Sequence, residues 1–199
     1  MEDVYKTVDS VAEGLYKEKG SRFIAFIYPV MDEEEVKVIV SNLKEKYYDA
    51  RHHCYAYCIG VEKQRSRAND DGEPSSTAGK PILGQIISHH LTNVLIVVIR
   101  YFGGIKLGVS GLIQAYKEAA SDAIRNAQII EKTEDETFHI KFDYWVMNDV
   151  MKVLKEENPQ ILKRKFEMNC EILLSIRRSE SLHLRERLQK IESLFILND

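Results

Sequence analysis

Residues Phe23–Val30 read FIAFIYPV, a run of aromatic and β-branched residues reached through Lys19-Gly20-Ser21. With the stretch from Gly14 onward, that pattern predicts a β-hairpin turning at the glycine. Met31-Asp32-Glu33-Glu34-Glu35 then sets acids where a first helical turn would be, and Val36, Val38, Ile39, Val40 and Leu43 follow before Lys44–Tyr48. A helix with a capped entry is expected. His53–Val61 is β-type again, whereas Glu62–Pro74 is polar, carries the turn signal Asn69-Asp70-Asp71-Gly72, and predicts a long loop of the functional or mobile kind. Thr77 can cap a helix through Ile82, Ile86 and Ile87 that ends near His89-His90. Asn93–Phe102 is almost continuously apolar, as a central strand buried on both faces would be. The turn Gly103–Gly108 leads from it into a helix running from Ser110 to about Ala127.

At Glu131-Lys132-Thr133-Glu134-Asp135-Glu136 five of six residues are charged and none is apolar, so a linker is placed there, dividing the chain into 1–131 and 132–199. Beyond it the pattern reads strand (Thr137–Tyr144), helix (Val146–Glu156), strand (Ile161–Glu167), strand (Glu171–Arg177), helix (Ser179–Ile191) and strand (Leu194–Leu197). That β-α-β-β-α-β order is the ferredoxin-like split motif, and the fold class expected for the whole is α+β.

At 199 residues, with 44% hydrophobic and 30% charged, the composition is that of an ordinary globular protein and excludes disordered, collagenous and disulfide-scaffold classes. The longest apolar run, Val94–Ile99, is far short of the roughly 20 residues that span a bilayer. The acids of MEDVYKTVDS stand where a signal peptide needs bases, so a cytoplasmic protein with no membrane association is expected. Cys54, Cys58 and Cys170 then read as free thiols. A net charge of −3 excludes a strongly basic nucleic-acid protein; any polyanion would need a local patch.

The glycines of RYFGGIKLGVSG can expose backbone N–H groups to a phosphate or carboxylate, or can simply shape a tight turn through positive φ at Gly103 and Gly104. Neither standard nucleotide device fits. Val109 stands where a Walker loop needs lysine, and Ile105 and Lys106 stand where a dinucleotide fingerprint needs glycine. His52, His53, Cys54 and Cys58 suggest zinc, but in a strand Cys54 and Cys58 lie about 13 Å apart, so no metal or cofactor is expected. A thiol at Cys54 beside His52 could serve as a nucleophile, or be structural. Asp70, Asp71 and Glu73 suit acid–base chemistry or a solvated turn. Ser75, Ser76 and Thr77 open a helix whose N-terminus, with Lys80 close by, is either N-capped by their hydroxyls or a second anion site.

Taken together, RHHCYAY, DDGEPSSTAGKPILGQI and VVIRYFGGIKLG, in this order and spacing, resemble the YigZ/IMPACT family over almost the whole chain. Ser76 departs from the glycine usual in that family. The resemblance implies a bacterial-type member: an N-terminal domain of the ribosomal-protein and elongation-factor βαβ superfold, with helices against one face of a sheet, and a ferredoxin-like domain similar to the last domain of elongation factor G. It implies a link to translation, and it brings no established reaction. It also carries family motifs onto His52, His53, Cys54, Asp71, Gly72, Glu73, Pro74, Thr77, Ala78, Gly79, Arg100, Phe102, Gly103, Gly104, Lys106 and Gly108, expected to line one cleft. The anion-binding candidates among these and their neighbours are Thr77, Gly79, Lys80, Arg100, Gly103, Gly104, Lys106 and Gly108. Two functions follow. One is a translation-linked binding protein contacting RNA, the ribosome or a translation factor through Arg65, Arg67, Lys80, Arg100 and Lys106. The other is an enzyme, such as a hydrolase, using His53, Cys54 and Glu73 on a small anionic substrate.

Overall fold

The computed structural model describes residues 3–61, 65–167 and 169–197, and it divides into two compact units, Tyr5–Lys132 and Thr133–Asp199 with Met1–Val4. Among the described residues the larger unit holds β1 (Val4–Val8), β2 (Ala12–Glu18), β3 (Ser21–Pro29), α1 (Glu33–Lys46), β4 (His52–Ile59), β5 (Arg65–Asn69), α2 (Gly79–Ser88), β6 (Val94–Tyr101), α3 (Gly108–Asn126) and β7 (Ile129–Thr133). Its main sheet is antiparallel throughout, in the order β2-β3-β6-β4-β5, while β1 pairs β7.

The central strand is β6, and its sequence explains the layering. Val94, Ile96 and Val98 point to one face, where α2 and α3 cover them, and Leu95, Val97 and Ile99 point to the other, against Val36 and Leu43 of α1. Helices therefore lie on both faces of the sheet, which corrects the one-sided arrangement implied by the resemblance. A strand apolar on both sides needs two covers.

The hairpin turns on Lys19 and Gly20, both at positive φ, and Asp32 caps α1 by accepting the N–H groups of Glu34 and Glu35 at 2.9 Å. The polar stretch after β4 is not loop throughout: Arg65–Asn69 is the edge strand β5, paired with Tyr55–Ile59. Its alternating charged residues suit a strand with one wet face, which composition alone does not separate from a loop. Glu62, Lys63 and Gln64 lie outside the described residues.

The smaller unit runs β8 (Asp135–Asp143), α4 (Met147–Glu157), β9 (Gln160–Lys165), β10 (Asn169–Arg177), α5 (Arg178–Leu188) and β11 (Leu194–Leu197), with a 3₁₀ turn at Tyr144–Val146. Its antiparallel sheet has the order β11-β8-β10-β9, the ferredoxin-like arrangement. Even-numbered residues of β8 and β10, among them Ile140, Phe142, Ile172 and Leu174, pack with Val150, Leu154, Leu184 and Leu188, leaving the odd-numbered face open. Glu131–Glu136, expected as a linker, is almost wholly strand, since β7 ends at Thr133 and β8 begins at Asp135. Between them Glu134 is tied down: its N–H donates to the Asp3 carbonyl at 2.8 Å and its carboxylate accepts from Arg178. Charge there marks exposed strand rather than absent structure. Among the described residues no helix is long and apolar enough to cross a membrane.

Candidate functional site

Strand alternation decides which motif residues meet. His52 is the register partner of Arg100, and His52, Cys54 and Arg100 share the face covered by α3, whereas His53 points to the α1 face. On the α3 face Glu73 is the hub. Its Oε1 accepts from Arg100 Nη1 at 2.5 Å and from the Tyr116 hydroxyl at 2.8 Å, and His52 Nε2 lies 3.9 Å away. The Glu73 and Arg100 side chains are only 4% and 8% exposed, so this is a buried ion pair. His52 Nδ1 stands 2.8 Å from the Asp71 carbonyl, which can only accept, so that nitrogen carries the proton and Nε2 faces the glutamate. Cys54 is fully buried behind the cluster, its Sγ donating to the Asp70 carbonyl at 3.0 Å and lying 3.3 Å from the Tyr116 hydroxyl. Burial pushes the Cys54 thiol far above its ordinary range, and burial beside Cys54 and Glu73 does the same to Tyr116. Both stay protonated.

His53 makes a separate structural set. Its N–H donates to Asp71 Oδ2 at 2.7 Å, its Nε2 to the Tyr47 carbonyl at 3.1 Å, and Lys44 holds Asp71 Oδ1 at 2.7 Å. Burial pushes its imidazole below the usual value. The expected grouping of His53 with Cys54 and Glu73 is thus replaced by His52 with Glu73 and Arg100, because adjacent strand residues face opposite ways.

The loop that delivers Glu73 is organised by Asp70. Oδ1 accepts the N–H groups of Ala78 at 3.0 Å and Gly79 at 2.8 Å, and Oδ2 that of Ser76 at 2.8 Å. Burial alone would raise the Asp70 pKa, but these three donors and Lys80 hold it below the ordinary carboxylate value. Asp70, not the hydroxyls of Ser75, Ser76 or Thr77, is therefore the cap of α2. The Thr77 hydroxyl donates instead to the Pro74 carbonyl at 2.7 Å. An outside anion at this helix start would have to displace Asp70, so Thr77, Gly79 and Lys80 do not form the second anion site. Ser76 sits at φ 66, the conformation that glycine at this place would adopt without strain. Gly79 is required by contact, since a Cβ there would lie 2.5 Å from the Asn69 nitrogen.

After β6 the two glycines do different work. Gly104 has φ 89, while Gly103 is not at positive φ; a Cβ on it would lie 1.9 Å from the Gly20 carbonyl carbon. The turn then doubles back to form, with the Glu73 loop, a pocket of about 490 Å³ lined by Arg51, His52, Gly72, Glu73, Pro74, Arg100, Phe102, Lys106, Leu107, Gly108, Val109 and Leu112. Arg100, Lys106 and Gly108 of the anion-binding candidates meet here. Gly103 and Gly104 are not among the lining residues. The expected basic cluster does not assemble, because Arg67 and Arg65 pair Tyr57 and Ile59, about 16 and 23 Å along β4 from His52.

Sequence reasoning missed a second surface, the open face of the smaller unit. Register builds two rows across it: Leu197, His139, Leu173, Lys163, and Phe195, Lys141, Glu171, Lys165. These two rows hold three lysines and one glutamate, with Asp143 further along the same face and Glu167 3.2 Å from Lys165 Nζ, and Phe195 is 64% exposed. Glu171 lies 3.4 Å from Lys141 Nζ and 3.7 Å from His139 Nε2. The available signal was the alternation Phe138-His139-Ile140-Lys141-Phe142, in which every second residue is polar.

These features define an α+β protein of two compact units, one carrying a polar pocket at the His52 and Arg100 ends of its sheet, the other a ferredoxin-like sheet with Lys141, Lys163 and Lys165 on the face away from its helices. Residues 19–124 match the Impact N-terminal domain. Over 177 residues the chain is 33% identical to the IMPACT family member YvyE of Bacillus subtilis (strain 168), covering 89% of this chain and 82% of that one. It is 32% identical over 151 residues to the IMPACT family member YigZ of Escherichia coli (strain K12), with 75% and 74% covered. A crystal structure of a hypothetical protein matches 100% of this chain and 98% of its own with a TM-score of 0.76 at 26% identity. The chain belongs to the IMPACT family.

Proposed function

We propose that this protein is a translation-linked binding protein that contacts RNA, free or in the ribosome, through the open face of its C-terminal sheet. The observation that carries the reading is the pair of rows on that face, where exposed Phe195 stands beside Lys141 at one edge of the sheet and Lys163 and Lys165 line the other, with Glu171 between them and Glu167 beside Lys165. Lysines track a phosphate backbone, and an aromatic ring on a sheet surface offers a base its stacking partner. The motifs shared with a translation-linked family point the same way. Catalysis by a thiolate draws no support from the pocket, because Cys54 is buried and held protonated.

Fluorescence anisotropy with a labelled single-stranded RNA tests this. Lys163→Glu with Lys165→Glu should weaken binding by at least about tenfold through lost phosphate contacts, and Phe195→Ala by about fivefold or more, corresponding to roughly 1–3 kcal/mol for one stacked base. All three side chains are exposed, so circular dichroism should be unchanged. Absence of binding at low salt, or equal binding by the variants, would overturn the reading.

A further inference from the structure

We propose that the pocket of the larger unit is a separate binding site for a small molecule bearing a phosphate monoester on an apolar body. Its charge balance argues for a dianion. Arg51, Arg100 and Lys106 line it against Glu73 alone, leaving an excess of two positive charges before His52 is counted. Arg100 is the decisive group: its side chain is 8% exposed, that exposure opens on the pocket, and its buried Nε has no hydrogen-bond partner. Burying a guanidinium with a donor left over is costly, and an anion drawn into the pocket offers that guanidinium a second acceptor alongside Glu73.

A second observation is independent of Arg100. Asp32 caps α1 and Asp70 caps α2, but among the described residues no side chain caps the 19-residue α3, and its first turn holds no acid. Leu107, Gly108 and Val109, at that uncapped start, line the same pocket as Lys106 and Arg100, so the positive end of the helix adjoins it. The rest of the wall is apolar: Pro74, Phe102 and Leu112, with Phe102 also lying against the Arg100 guanidinium at 5.7 Å. A free inorganic ion would leave that wall unused. A phosphate on an aromatic or aliphatic body would fill it, within the volume typical of small-ligand sites.

The test uses the full chain and phenyl phosphate as probe, with benzoate and inorganic phosphate for comparison, followed by calorimetry and thermal melting. Phenyl phosphate should bind saturably and raise the melting temperature with concentration, and both comparison ligands should bind at least about tenfold more weakly. Arg51→Gln with Lys106→Gln, both exposed positions, should keep the melting temperature of the free protein and lose about tenfold or more in affinity. The sheet-face variant Lys163→Glu/Lys165→Glu should bind phenyl phosphate normally, so that failure of the RNA reading leaves this one standing. No saturable binding, equal binding of benzoate, or full affinity in the Arg51/Lys106 variant would each overturn it.

Discussion

Glu73 holds the polar cluster of the larger unit together, because one of its oxygens accepts from both a buried guanidinium and a buried phenol. Removing one member of such a pair strands a charge and costs about 3–5 kcal/mol, while replacing both by apolar side chains of similar size is often neutral. Glu73→Leu is therefore expected to destabilise the protein by about 3 kcal/mol or more, and Glu73→Leu/Arg100→Met to recover most of the loss. Denaturant melts of the two single variants and the double variant measure this, and simple additivity would mean that the two residues do not act as a pair. The same residues show what a sequence reveals at this scale. The strings around His52, Glu73 and Arg100 named the stretches whose side chains cluster, but that His52 rather than His53 meets Glu73 follows from the strand register, which fixes the face and is set by pairing with β6 far along the chain.

At the scale of elements, what was legible is what local chemistry dictates: the Gly20 turn, the acid-capped α1, the apolar β6 and the split motif of the second half. What was not legible depends on partners distant in sequence. β5 exists because β4 offers it an edge, and α2 is capped by Asp70 across a turn of the chain rather than by the hydroxyls next to it. Glu131–Glu136 is strand for a similar reason. The glycine turn after β6 separates into two kinds of requirement that composition merges. Gly103→Ala must push apart the Gly20 turn, at about 3 kcal/mol, whereas Gly104→Ala meets open space and costs only the left-handed backbone penalty of about 1–2 kcal/mol. Thermal melts should rank them in that order; a larger loss at Gly104 would show that the turn-to-turn contact is loose.

For the molecule as a whole, net charge and local charge point in opposite directions. With 28 basic and 31 acidic residues the long-range field repels a polyanion, and the charges divide almost evenly between the halves of the sequence. RNA binding on this account is short-ranged and confined to one sheet face, and Arg65 and Arg67, which the sequence suggested as part of its source with Lys80, Arg100 and Lys106, lie on an edge strand of the other unit. The salt dependence of RNA affinity tests this claim most directly. On a single strand each neutralised phosphate contributes about 0.7 to the slope of log K against log salt, so Lys141, Lys163 and Lys165 predict a slope of about −2. Lys163→Glu/Lys165→Glu should bring it above about −1, and Arg65→Glu/Arg67→Glu should leave it unchanged. A slope that is lost with Arg65 and Arg67 but persists without Lys163 and Lys165 would contradict the assignment of the RNA face to the C-terminal sheet.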